Sequence, residues 1–78
     1  MANITIYSTP TCVYCRMAKS YLTDKNIPFT DKNVAADDEA REEMIKKSQQ
    51  MGVPVIDVDG AIIVGFDKPK INSLLGIK

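Results

Sequence analysis

The 78-residue chain contains no histidine and no tryptophan, and it has only two cysteines. The lack of histidine excludes Cys-His nucleophilic catalysis and every metal site that uses an imidazole ligand. No uninterrupted apolar stretch approaches the ~20 residues needed to cross a bilayer. Ten basic and ten acidic side chains cancel without a long run of either sign, which argues against nucleic-acid and membrane-surface partners.

The length suits one small domain with a thin core, and we predict a single domain over residues 1–78. Residues 1–7 lack the charged start, apolar middle and small-residue cleavage site of a secretory signal, so we do not expect export. Secreted mini-domains spread several cysteines along the chain, whereas both cysteines here lie within four residues. We therefore expect a cytoplasmic protein in a reducing compartment.

Apolar periodicity and turn residues predict the element order β-α-β-α-β-β-α. The predicted elements are a strand over 3–7, a helix after the cysteines ending near Asn26, a strand over 28–34, a helix from 37–39 to 49–52, strands over 53–58 and 61–64, and a helix capped by Asp67 and ended by Gly76. The right-handed crossover rule makes the first two strands parallel, and an Asp59-Gly60 turn makes the last two antiparallel. This mixed four-stranded sheet flanked by helices is similar to the thioredoxin-like α/β arrangement.

Cys12 and Cys15 stand two residues apart at the start of the first predicted helix. A cysteine there faces the positive end of the helix dipole, which should lower the pKa of Cys12 below the ~8.5 of a free cysteine. Cys15 lies about one turn further along, where it should be more buried and could attack a mixed disulfide formed at Cys12. We predict Cys12 as the nucleophile and Cys15 as the resolving thiol of a dithiol redox pair.

Three plainer interpretations of the cysteine pair are possible. A structural disulfide is disfavoured because closing so short a loop removes little entropy from the unfolded chain. A zinc site needs four ligands, and two cysteines without a histidine cannot supply the usual set from one chain, so we predict no metal site. Two buried bystander cysteines are disfavoured by the strand before them and the helix after them.

Three further features suit binding, and each has a simpler interpretation. The Val53-Pro54 bond enters an apolar strand, and on the residues alone the ordinary trans form is favoured, since only ~5–6% of such bonds are cis. The Gly65-Phe66-Asp67 segment suits either a bound carboxylate or a plain helix cap, and neither is preferred. Tyr14, between the cysteines, either packs or contacts a substrate, and its position favours contact.

Four segments together resemble the glutaredoxin family over essentially the whole chain: Ile4-Thr5-Ile6-Tyr7, Thr11-Cys12-Val13-Tyr14-Cys15, Val53-Pro54 and Gly65-Phe66-Asp67. The resemblance implies a thioredoxin fold with Val53-Pro54 in cis facing Cys12, and an oxidoreductase that uses glutathione as co-substrate without a tightly bound cofactor. It further implies that the Val53 backbone pairs with the cysteinyl unit of glutathione. Tyr14 would line the groove, and the Gly65-Phe66-Asp67 segment would hold the γ-glutamyl end.

Several positions depart from the usual glutaredoxin pattern. Val13 replaces a common proline, Gly52 stands where threonine is common, and residues 8–11 lack a lysine often found before the first cysteine. Phe66 and residues 68–72 are more similar to the glutaredoxin-like electron donors of ribonucleotide reductase, which are reduced by thioredoxin reductase. The electron donor thus stays open between glutathione and thioredoxin reductase, with disulfide-containing proteins as targets.

A binding role is the third possibility that the resemblance brings. Glutaredoxin relatives can hold an iron-sulfur cluster between two chains, using one cysteine from each chain together with glutathione. Our expectation is a monomeric oxidoreductase.

Overall fold

The computed structural model describes residues 3–76 and shows the predicted order of strands and helices. The elements are β1 (Ile4–Ser8), α1 (Val13–Asp24), β2 (Thr30–Asn33), α2 (Asp38–Ser48), β3 (Val55–Val58), β4 (Ala61–Val64) and α3 (Lys68–Leu75). Strands β2 and β3 are shorter than predicted at the ends that carry Pro28 and Pro54. Proline has no backbone N–H to donate to a ladder, which explains both late starts.

The four strands form one mixed sheet in the order β2-β1-β3-β4. β1 pairs in parallel with β2, while β3 runs antiparallel to both β1 and β4. Asp59 and Gly60 link β3 to β4 with positive φ angles of 51° and 94°, as a type I′ turn requires. The predicted thioredoxin-like fold is confirmed, including the directions of both strand pairs.

Apolar side chains pack on both faces of the sheet. Because successive residues of a strand point to opposite faces, Ile6 packs with α1 and α3, whereas Tyr7 packs with α2. Leu22 and Ile71 belong to the first cluster, and both are fully buried. Each such buried aliphatic side chain contributes roughly 1.5–3 kcal/mol, so these clusters fix the helices against the sheet.

The buried stripe of α1 determines how the cysteine end of this helix is oriented. Cys15, Ala18 and Leu22 recur at helical spacing and face the core, whereas Tyr14 and Met17 are exposed. Lys25 is the C-cap of the helix, and the predicted left-handed Asn26 follows with a φ of 58°. Within residues 3–76, no helix has the length and apolar character needed to cross a membrane.

Candidate redox site

The loop after β1 delivers Cys12 to the N-cap of α1. Its backbone is extended (φ −85°, ψ 113°), and its Sγ accepts a hydrogen bond from the Cys15 N–H at 3.1 Å. The sulfur thus occupies the place where a serine or aspartate oxygen usually caps a helix. Negative charge on this sulfur would be stabilised by the N–H group and by the helix dipole.

Cys12 and Cys15 form a disulfide with their Cα atoms 5.2 Å apart. Cys15 is fully buried against the core, and Cys12 is partly exposed beside it. An incoming disulfide can therefore reach Cys12 directly, while Cys15 is accessible only through its partner. This difference in exposure agrees with the order of burial predicted from the sequence.

The Val53–Pro54 peptide bond is cis, as the resemblance implied, and the preference for trans drawn from the residues alone is wrong. Pro54 is buried and Val53 is half-buried, immediately before β3. Within residues 3–76, neither the N–H nor the C=O of Val53 takes part in a hydrogen bond. Both groups are thus free to pair with an extended chain, which is how a peptide adds to a sheet.

A hydrogen bond links the segment before α3 to Pro54. Gly65 has a φ of 85°, and its N–H donates to the Pro54 C=O at 2.8 Å. Asp67 caps α3, since its Oδ1 accepts from the Lys70 N–H at 3.2 Å. The capping interpretation of this segment is therefore observed, and ligand binding by Phe66 and Asp67 stays a prediction.

Tyr14 projects from the first turn of α1 with 63% of its surface exposed, and the neighbouring Val13 is equally exposed. This exposure leaves the Tyr14 ring available to a partner, although its contact role stays a prediction. Across the described residues 3–76, no group of three or more acidic or cysteine side chains is arranged to hold a metal ion.

A polar cluster that the sequence analysis missed anchors α1 next to the cysteine loop. The buried Ser8 hydroxyl donates to Asp31 Oδ1 at 2.7 Å, and Lys19 Nζ lies 3.0 Å from Asp31 Oδ2. Lys19 Nζ also donates to Ser8 Oγ at 3.3 Å. These contacts join β1, β2 and α1, but their partners are distant in sequence and no local pattern signals them.

A second missed cluster lies between α2 and the sheet. Lys47 Nζ contacts Asp57 Oδ2 at 2.7 Å, Glu43 Oε1 at 3.1 Å and the Tyr7 hydroxyl at 3.2 Å. The Tyr7 hydroxyl donates to Glu43 Oε1 at 2.7 Å. The signals available in the sequence are a charged residue, Asp57, within an apolar strand, and the four-residue spacing of Glu43 and Lys47, which is typical of ion pairs on a helix.

In this group of Tyr7, Glu43, Lys47 and Asp57, which we call the α2 cluster, the pKa values of Tyr7, Glu43 and Lys47 are shifted. Hydrogen bonds from Tyr7, Lys47 and Lys32 lower the pKa of Glu43 to about 2. The Asp57 carboxylate is the main cause of a raised pKa at Lys47, and burial is the main cause of a raised pKa at Tyr7. The cluster therefore holds Glu43 ionised and Lys47 protonated throughout the neutral range.

Comparisons with known proteins agree on one family. The family model described as Glutaredoxin matches residues 4–63. A glutaredoxin-like 8.6 kDa protein in the rubredoxin operon of Clostridium pasteurianum is 58% identical over 72 residues, covering 92% of this chain and 96% of that protein. Glutaredoxin 3 of Escherichia coli is 42% identical over 67 residues, covering 86% of this chain and 81% of the relative.

Solved structures show the same fold. A thioredoxin-like protein superposes with a TM-score of 0.92 at 28% identity, with full coverage of both chains. The glutaredoxin-like protein NrdH-redoxin from Escherichia coli, whose structure is described as the basis of a thioredoxin-like activity profile, gives a TM-score of 0.80 at 29% identity. That match covers 92% of this chain and 93% of the other.

Proposed function

This chain belongs to the glutaredoxin family, and from that premise we propose that it is a dithiol thiol-disulfide oxidoreductase with glutathione as its co-substrate. The observation that carries the proposal is the arrangement of the two cysteines. Cys12 is partly exposed at the N-cap of α1 with its sulfur on the Cys15 N–H, and Cys15 is buried behind it. Exposure at a helix N-cap suits a nucleophile, which must meet the substrate as a thiolate. Burial suits a resolving thiol, which must not react before the mixed disulfide has formed.

The proposed cycle moves two electrons. The Cys12 thiolate attacks one sulfur of a substrate disulfide, that S–S bond breaks, and the leaving thiolate takes a proton. Cys15 then loses its proton and attacks the Cys12 sulfur, which releases the second substrate thiol and leaves the Cys12–Cys15 disulfide. Two glutathione molecules reverse this state: the first forms a mixed disulfide at Cys12, and the second attacks it to give oxidised glutathione.

Three features support glutathione as the co-substrate. The N–H and C=O of Val53, which have no hydrogen-bond partner in the described part of the chain, suit pairing with the backbone of a short extended peptide. The exposed Tyr14 ring, in the first turn of α1 directly after the Cys12 N-cap, offers apolar surface to a ligand. The identity of 42% with a glutaredoxin of Escherichia coli spans most of both chains.

Electron donation to ribonucleotide reductase or a similar enzyme, served by thioredoxin reductase, is the second candidate. The likeness to NrdH-redoxin favours it. We further propose that the protein acts as a monomer in the cytoplasm, since one chain supplies both thiols and the chemistry needs a reducing compartment.

The deciding experiment measures NADPH oxidation while the protein reduces a small mixed disulfide or a protein disulfide. Electrons are supplied through glutathione and glutathione reductase in one assay, and through thioredoxin reductase in the other. Turnover with glutathione supports the leading proposal, and turnover with thioredoxin reductase alone supports the second candidate. Activity in neither assay, equal to that of Cys12→Ser, would contradict the redox function altogether.

A further inference from the structure

A shallow groove of about 240 Å³ runs between α1 and the start of α3. Its walls are formed by Met17, Ser20, Tyr21, Asp24, Phe66 and Lys68. Tyr21 and Phe66 pack edge to face with ring centres 5.8 Å apart, and Met17 is 45% exposed. Tyr14, Met17 and Tyr21 follow one another at helical spacing, so an exposed apolar path leads from the cysteines into this groove.

Two lysines beside the groove have no ion-pair partner in the described part of the chain. Lys25 Nζ lies 5.8 Å and Lys68 Nζ lies 5.4 Å from the centre of the Tyr21 ring. Neither lysine forms a salt bridge within the described part of the chain. Asp24 lines the same groove and Asp67 caps α3 beside Lys68, but among the described residues neither carboxylate forms an ion pair with Lys25 or Lys68.

Helix geometry sets the distance between this charge and the nucleophile. Tyr21 lies nine positions after Cys12, so at about 1.5 Å of rise per residue the two are about 14 Å apart along α1. An extended chain advances about 3.3 Å per residue and covers that length with about four residues. A segment bound by its cysteine at Cys12 would thus bring its fourth neighbour to the two lysines.

We propose that this groove, which we call the α1–α3 groove, docks an extended segment of the disulfide-containing target protein. That segment carries an apolar side chain and then a carboxylate, the carboxylate about four residues from the reactive cysteine. The apolar side chain lies on Met17 and the Tyr21–Phe66 pair, and the carboxylate lies between Lys25 and Lys68. This inference rests on the proposed redox function. It specifies which segments of a target protein the oxidoreductase would prefer.

The test uses the reduced protein and peptides whose single cysteine is disulfide-bonded to 2-mercaptoethanol. Two peptides carry leucine at the second position after the cysteine and either glutamate or lysine at the fourth, because alternate side chains of an extended chain share one face. The second-order rate constant of reduction is measured by acid quench in a single turnover, which needs no external electron donor. Bis(2-hydroxyethyl) disulfide serves as a substrate too small to reach the groove.

We expect the glutamate peptide to react about 1.5-fold to fivefold faster than the lysine peptide, the range of exposed ion pairs, with the ratio falling as salt rises. Lys68→Glu should reverse this preference without changing the rate of the small disulfide. Lys46→Glu is the matched control, because Lys46 is an exposed lysine on α2, at the opposite face of the sheet. It should keep the preference of the unsubstituted protein.

The outcomes separate the two levels of the proposal. Reduction of the small disulfide with equal rates for both peptides would overturn the docking inference and leave the redox function standing. Peptide rate constants that decrease as protein concentration rises would show that a second copy covers the groove, which also overturns it. Failure to reduce the small disulfide would remove the redox function, and the inference with it.

Discussion

Two polar regions of this molecule, both built on β1 and β3, use their hydrogen-bonding groups in opposite ways. At the redox end, the Val53 backbone groups have no hydrogen-bond partner among residues 3–76, and Cys12 is partly exposed. Between α2 and the sheet, Tyr7, Lys47 and Asp57 are bonded to one another or to Glu43. The first region leaves backbone hydrogen-bonding groups available to a ligand. The second uses its hydrogen-bonding groups to hold α2 against the sheet.

Burial explains why the α2 cluster must be satisfied. Asp57 is 8% exposed, and its two oxygens accept from Lys47 Nζ and from the Gly60 N–H of the following turn. Within residues 3–76, no buried side-chain nitrogen or oxygen lacks a partner. An unpaired charge at this site would destabilise the folded state by more than the ion pair stabilises it. The two regions should therefore respond to substitution in different measurements.

The largest effect is expected from Cys12→Ser, which breaks the redox end alone. Turnover of any disulfide should fall by at least about a thousandfold, the scale seen when a catalytic nucleophile is removed. The free energy of unfolding, measured in urea under reducing conditions for both proteins, should change by less than about 0.5 kcal/mol. A loss of stability comparable to the loss of activity would show that the two regions are not separable.

Asp57→Ala tests the same separation from the other side. It removes the main partner of Lys47 and should lower the free energy of unfolding by about 2 kcal/mol, less than for a fully buried pair because Lys47 is partly exposed. The single-turnover rate with a small disulfide at 25 °C should stay within about twofold, the spread expected for a site not in contact with the change. Urea titration measures the free energy of unfolding, and acid-quenched kinetics measure the single-turnover rate.

Asp38→Ala is the matched control for Asp57→Ala. The Asp38 carboxylate is 87% exposed and pairs with Arg41 at 3.5 Å on the surface of α2. Its removal should cost less than about 0.5 kcal/mol. Equal losses from the two alanine substitutions would contradict the role assigned to the α2 cluster.

A smaller effect is expected from the titration of Glu43. Its pKa in the folded protein is about 2, below the ordinary value of 4.5, so the folded state binds the proton less readily than the unfolded state. The stabilisation is therefore complete above pH 4.5 and is lost as the pH falls toward 2. Because the side chain is 39% exposed, solvent screening reduces the contribution to about 1 kcal/mol.

Glu43→Gln should remove this part of the pH dependence. Urea unfolding between pH 5 and pH 2.5 should give a flatter profile than that of the unsubstituted protein. Glu42→Gln, at an exposed neighbouring position on α2, is the control and should retain the original slope. If the free energy of unfolding falls equally with pH in Glu43→Gln and in the unsubstituted protein, the contact between Glu43 and Tyr7 does not determine the loss of stability at acidic pH.

The sequence predicted what depends on neighbours in the chain and missed what depends on packing. Strand alternation, the Asp59-Gly60 turn and the cysteine pair are local patterns, and each led to the correct element. The pairs Lys19–Asp31 and Lys47–Asp57 join residues that meet only after α1 and α2 dock on the sheet. Helical periodicity likewise located α1, but it could not show that Met17 stays exposed.

The two capping aspartates provide the finest comparison between structural and functional roles. Asp37 caps α2 through the Ala40 N–H at 3.1 Å, and Asp67 caps α3 in the same way. Replacing either by alanine should cost about 1 kcal/mol of stability. If Asp67 also holds the γ-glutamyl end of glutathione, only Asp67→Ala should raise KM for a glutathione mixed disulfide, by about threefold for one exposed charged contact. Equal KM values for both variants would mean that Asp67 only caps its helix, and the absence of a γ-glutamyl contact there would favour thioredoxin reductase as the electron donor.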